Sequence, residues 1–198
     1  MQIAESSVFL WKSVEKLGSM QRQELAGKIG LDSCVQEINE APERQVGFYR
    51  KYAAVAHRTL SRPLFQGFLV WMLTKENIEE GMISKIQIMM FPFRNEKGNW
   101  LAGRISRKGE ICIYPKKKES CQKLMREFEK DNVYFYIKAR AMAALIHELL
   151  HLRYASDENM VRRKTEKYFQ IFIRKEYARD SKTRSILKML FTAGAVPC

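Results

Sequence analysis

The segment Ala143-Ala-Leu-Ile-His-Glu-Leu-Leu-His-Leu contains three side chains suited to chemistry: His147, Glu148 and His151. Two histidines four positions apart on a helix leave from the same face, one turn apart, so their imidazoles can converge on a single cation. Zinc suits such a pair because it takes neutral imidazole nitrogen, accepts a tetrahedral arrangement and tolerates one position open to solvent. Glu148 follows the first histidine directly and can reach that solvent without ligating the ion, which is the place of a general base. With His at about 2% and Glu at about 6% of residues, H-E-x-x-H arises by chance in a chain of this length about once in 200. Histidines that merely pack or cap a helix are therefore the weaker reading.

A zinc site of this kind needs a third protein ligand. The one other histidine, His57, lies far upstream in a helical stretch, so a carboxylate is expected instead. Glu158 comes first, because it would open the next helix and point back from a short turn. Asp157, six residues past His151, is second, and Glu166, two turns deeper, is third. Those that are not ligands read as N-caps or solvated helix acids.

The elements that must position these residues follow from hydrophobic period. From Ser6 to about Glu80 the pattern is helical in pieces, broken near Gly30 to Ser33, at Ala41–Pro42 and at Arg62–Pro63. Arg22-Gln-Glu-Leu-Ala-Gly-Lys-Ile-Gly-Leu is faintly similar to the first helix and turn of a helix-turn-helix, but Pro42 cuts the second helix short and plain helical packing is preferred. The apolar run from Pro63 to Thr74 is about a dozen residues, below the roughly 20 needed to cross a bilayer, and reads as a buried helix. Between Lys85 and Pro115 the period becomes two: Ile86, Ile88 and Met90, then Leu101, Gly103 and Ile105, then Ile111 and Ile113. These predict three antiparallel strands, joined through Asn95 to Asn99 and Arg107-Lys108-Gly109. Helices are predicted at Lys116 to Lys130, Val133 to Tyr154 with an Asp131–Asn132 cap, Asp157 to Ala178, and Ser181 to Phe191. The order is α+β: a helical N-terminal region, 1–80, of unassigned role, then a unit spanning 81–198 with a small antiparallel sheet and the H-E-x-x-H helix.

Of 198 residues, 46% are hydrophobic, so a folded core is expected despite a formal net charge of +13. About +11 of that charge falls in residues 101–198 and about +2 in the first hundred, so the half with the candidate site is the basic one. Cys34, Cys112, Cys121 and Cys198 are scattered and imply neither a disulfide framework nor a CxxC site. The start, Met-Gln-Ile-Ala-Glu, lacks the pattern of a secretory signal, and a cytoplasmic protein without membrane contact is expected.

With these residues in view, the chain resembles the zincin metallopeptidases over about residues 100 to 175, and His147-Glu-Leu-Leu-His-Leu-Arg-Tyr is most similar to small intracellular SprT-like and WLM-like proteins. The resemblance implies zinc, hydrolysis of a protein or peptide substrate with Glu148 as base, and an edge strand beside the metal helix that binds extended substrate; Gly109 to Pro115 is its expected counterpart. It departs from those families in having no third histidine after His151. Tyr154, Tyr168 and Tyr177 are candidates for stabilising the oxyanion. Likeness to enzymes that act on DNA-attached proteins gives a role to the basic stretches Lys116-Lys-Lys and Arg162-Arg-Lys. With Arg153, Lys167, Arg174 and Lys175 they would form a stripe for nucleic-acid phosphates.

Overall fold

The computed structural model describes residues 19–31, 43–127 and 130–176. Along these the chain forms α1 (Ser19–Lys28), β1 (Ile29–Leu31), α2 (Glu43–Leu60), α3 (Pro63–Lys75), a 3-10 turn at Glu80–Met82, β2 (Lys85–Ile88), β3 (Gly103–Ile105), β4 (Glu110–Ile113), α4 (Lys118–Glu127), α5 (Lys130–Tyr154) and α6 (Glu158–Glu176). The class is α+β as expected. Among the described residues, no helix is long and apolar enough to cross a membrane.

α5 is the central element. Ala139, Ala141, Met142, Ala143, Ala144, Leu145, Ile146, Leu149 and Leu150 are all buried. Small side chains let neighbours approach on every side, and α2, α4, α6, β3 and β4 all pack against it. α3 is also buried on most of its circumference, and Pro63 at its first turn fixes its start. Two boundaries differ from expectation. α5 includes Lys130, so Asp131 and Asn132 lie within the helix and do not precede it, and α4 starts at Lys118, two residues later than expected. The stretch Ser181 to Phe191 lies outside the described residues.

The sheet is mixed and has four strands in the order β1-β2-β4-β3. The expectation of an antiparallel sheet holds only for β3 with β4; β1 with β2 and β2 with β4 are parallel. Of the expected faces, Ile86, Ile88, Ile111 and Ile113 are buried, whereas Ile105 is half-buried and Met90 and Leu101 lie outside the strands; period two also carries no information about which strands are neighbours. The connection after β2 passes over the place next to it, and the tight turn at Ser106 to Gly109 folds β4 back into that gap. Gly109 makes this turn with φ +75°, and a Cβ there would meet the Met82 carbonyl oxygen. β3 is thereby left at the edge.

β1 was not foreseen; a helix break was expected where Ile29–Leu31 pairs with Ile86–Ile88. A strand directly after α1 also removes the helix-turn-helix reading. Leu25, Ile29, Ala53, Leu60 and the α3 side chains share one apolar cluster with β2, β4, α5 and α6, so the described part of 1–80 contributes to the core beneath the candidate site.

Candidate metal centre

His147, Glu148 and His151 lie in the last two turns of α5. Ala155, in the left-handed region at φ 45°, ends that helix: its N–H still donates to the His151 carbonyl, while the Asp157 N–H turns back to the Tyr154 carbonyl. Asp157 then caps α6, its Oδ1 accepting from the Met160 N–H at 3.0 Å. A link this short returns α6 along α5, and Glu158, in the first turn of α6, is brought opposite the two histidines.

The three side chains meet. His147 Nε2 and His151 Nε2 are 3.1 Å apart, and each lies close to one oxygen of Glu158, at 3.5 Å from Oε1 and 3.4 Å from Oε2 respectively. The outer nitrogens fix the ring orientations. His151 Nδ1–H donates to the Ala155 carbonyl at 2.6 Å, and His147 Nδ1 sits 3.4 Å from the hydroxyl of Thr165, a fully buried residue of α6. A carbonyl can only accept, so in the neutral His151 ring Nε2 carries the bare lone pair; the matching tautomer of His147 donates to Thr165 and aims its own lone pair the same way. Two lone pairs at 3.1 Å repel unless a proton or a cation lies between them. Three ligands on tetrahedral bonds of about 2.05 Å would stand roughly 3.3 Å apart; here the two nitrogens are 3.1 Å apart, each faces a different Glu158 oxygen, and one ligand atom from each residue lies within 4.8 Å of the others. Two imidazoles and a carboxylate in this arrangement could hold a metal ion.

Burial pushes the His147 imidazole down to about 4, helped by His151 and opposed by Glu158, so the ring is in the neutral, ligating form near pH 7. Glu158 is partly exposed and is braced by Arg162, whose Nε donates to Oε1 at 3.0 Å. Glu148 does not join the group. Its carboxyl is buried and pushed up to about 8 by desolvation, with Glu158 adding to the rise and a hydrogen bond from the Ile105 N–H opposing it.

That hydrogen bond identifies the neighbouring strand. The expected edge strand, Gly109 to Pro115, is instead the interior strand β4, paired on both sides, and Tyr114 is buried against Phe93. The edge beside α5 is β3. The Ala102 carbonyl accepts from Tyr114 N–H and the Ser106 N–H donates to the Glu110 carbonyl, so by alternation Gly103 and Ile105 turn their backbone groups away from β4 and towards the cleft. Gly103 also makes room for the carboxylate, since a Cβ there would lie 2.7 Å from Glu148 Cγ and Oε1. The cleft, about 530 Å³, has residues 101–107 as one wall and His147, Glu148, His151 and Glu158 on the other.

Other sequence-derived candidates fall elsewhere. Asp157 is the α6 cap, Glu166 pairs with Gln170 on the outer face of α6, and His57 lies on α2. Tyr154 and Tyr168 direct their hydroxyls to Glu76, not into the cleft, and Tyr177 lies outside the described residues. In the expected basic stripe, Arg162 is paired with Glu158, Lys164 with Glu76, and Lys117 lies over the exposed Trp100 ring at 4.0 Å. Thr165 and Glu76 were not singled out, Gly103 was read only as a strand position and Ala155 only as a helix break. An isolated glycine within a strand pattern signals close approach by a neighbour and could have marked Gly103; the other three leave no such mark.

Fold and side chains together define an α+β protein with a two-histidine, one-carboxylate group on adjacent helices beside a sheet edge. Comparison of the chain with protein-family models, curated proteins and solved structures finds no match.

Proposed function

We propose that this chain is a zinc-dependent metallopeptidase, cutting peptide bonds within protein or peptide substrates. One observation carries the reading: two imidazole Nε2 atoms and a carboxylate converge within about 3.5 Å at the base of a cleft, next to a buried glutamate that is not part of the group. The donor set, borderline-soft nitrogen with one oxygen, suits zinc better than calcium or magnesium, which favour all-oxygen shells.

His147, His151 and Glu158 would hold the ion, with Thr165 and the Ala155 carbonyl orienting the two rings. When bound, zinc supplies positive charge that lowers the pKa of water and polarises a carbonyl. With that charge beside it, the Glu148 carboxyl, otherwise held up at about 8 by burial, would lose its proton; its carboxylate oxygen then accepts a proton from the attacking water and returns it to the leaving amine nitrogen. The Ile105 N–H is taken by Glu148, but the outward backbone groups of Gly103 and the Ile105 carbonyl suit an extended peptide, which would add to the sheet as a further strand and be held alongside Glu148.

The test is metal content together with proteolysis of an unfolded protein. One zinc per chain is expected, lost in His151→Ala, whereas Glu148→Gln keeps the zinc and loses cleavage. A wild-type chain that takes up zinc yet leaves every unfolded protein intact, or a Glu148→Gln variant that still cuts, would overturn the reading.

A further inference from the structure

Glu76 lies outside the cleft, yet donors from both cleft-forming helices converge on it. Its backbone N–H caps the end of α3 by donating to the Met72 carbonyl, and its side chain is 5% exposed. The carboxylate accepts hydrogen bonds from the Tyr154 and Tyr168 hydroxyls and from Lys164 Nζ, at 2.8 Å to Oε1 and 3.1 Å to Oε2. Burial alone would raise its pKa, but the bonds from Lys164, Tyr154 and Tyr168 outweigh this and hold the carboxyl below its ordinary range. An ionised carboxylate has about four acceptor sites, enough for all the donors present. Trp71 and Phe68 of α3 pack edge-on to the Tyr168 ring and shield the cluster from water.

The positions of those donors matter. Tyr154 closes α5, three residues after His151 and next to Ala155, whose carbonyl orients the His151 ring. Lys164 is adjacent in α6 to Thr165, which touches His147. One buried carboxylate therefore clasps the α5–α6 turn from both sides, 78 to 92 residues away along the chain. We infer that Glu76 is a positioning residue: by tying Tyr154 of α5 to Lys164 and Tyr168 of α6, it sets the placement of Glu158 and Thr165 relative to His147 and His151. The consequence for metal binding rests on the metal-site reading above; the placement of the turn does not.

The experiment uses the whole chain and four forms of it: wild type, Glu76→Gln, Tyr154→Phe, and Val133→Ala as a loss of stability in the separate cluster around Tyr52 and Ile137. Cobalt(II) affinity is read by competition with a chelating dye, and amide hydrogen exchange is followed at residues 155–161. Glu76→Gln is expected to weaken cobalt binding about tenfold or more, the size typical of groups that orient ligands, and to speed exchange at 155–161 relative to β2 and β4. Val133→Ala should lower the melting temperature and leave both readouts unchanged. Tyr154→Phe, which keeps the ring, should shift both in the same direction by less, and it carries the comparison if Glu76→Gln does not fold. Wild-type affinity and exchange in the Glu76 and Tyr154 variants, or equal effects in Val133→Ala, would overturn the inference. If wild type takes up no cobalt, the metallopeptidase reading fails, and exchange at 155–161 alone decides for or against the role of Glu76.

Discussion

In Gly103→Ala the new methyl carbon would lie 2.7 Å from both Cγ and Oε1 of Glu148 and 3.1 Å from its Cδ. Non-bonded carbons settle at about 3.5–4.0 Å, so the Cγ contact is too short by roughly 1 Å. Gly103 is not among the glycines with positive φ, which makes the penalty steric and not conformational. Turning the carboxylate about its last bond leaves Cγ where it is. The side chain must change its first torsion, or β3 must back away from α5, and either movement disturbs the hydrogen bond from the Ile105 N–H. Overpacking of this kind costs about 1–3 kcal/mol of stability. If Glu148 is the base, its displacement also costs about 10²–10⁴ in turnover, equivalent to about 2.7–5.4 kcal/mol of activation free energy. Zinc affinity should change by less than about threefold, since all three atoms nearest the methyl belong to Glu148 and none to a proposed ligand. The assay is cleavage of a fluorogenic peptide or casein, run beside urea unfolding of Gly103→Ala, Glu148→Ala and the double variant. Truncating Glu148 removes the clash, so the stability loss from Gly103→Ala should largely vanish in the Glu148→Ala background, a coupling of about 1 kcal/mol or more. Undiminished turnover in Gly103→Ala, or the same stability loss in both backgrounds, would refute the reasoning.

Thr165→Val keeps the shape of a fully buried side chain and removes the hydroxyl beside His147 Nδ1. Metal affinity should fall about tenfold with about 1 kcal/mol lost in stability, read by dye competition and urea unfolding; unchanged affinity would show that the ring is oriented without Thr165. The Glu76 cluster also gives a pH dependence with a definite sign. Because the folded state holds this carboxyl below its ordinary value of 4.5, its contribution is complete above that pH and is lost as pH falls through the lower folded value. Urea midpoints measured from about pH 7 down to about pH 3 should therefore fall more steeply in wild type than in Glu76→Gln; parallel curves would contradict the ionised cluster.

The histidine pair was legible in the sequence because helical geometry fixes what four residues of separation means: His147 and His151 had to share a face whatever the rest of the chain did. Glu158 was legible for a related reason, since a break at Ala155–Ser156 followed by a new helix allows only a tight reversal. The nearby alternatives separate through local chemistry, with Asp157 held as a cap and Glu166 turned outward with Gln170. The sheet was only half legible. Alternation identified Ile86, Ile88, Ile111 and Ile113 as inward-facing, but a parallel β2–β4 pair presents the same alternation as an antiparallel one.

That ambiguity has a functional consequence. With strands in sequence order, β4 would lie at the edge, and Gly109 to Pro115 would face a substrate; inserting β4 between β2 and β3 exposes Gly103 and Ile105 instead. The exchange explains the glycine. A strand beside a buried carboxylate on α5 must approach closely enough for the Ile105 N–H to reach it, and at that distance the residue two positions earlier, pointing to the same face, has no space for a side chain. Glu76 is illegible for a different reason. Nothing local distinguishes a glutamate at a helix end whose partners lie 78 to 92 residues further on, and the apolar rings that make its charge matter come from α3 and α6 together. Local spacing thus fixes which groups can ligate, whereas the pairing order of the sheet and one buried charge fix where those groups point and what can reach them.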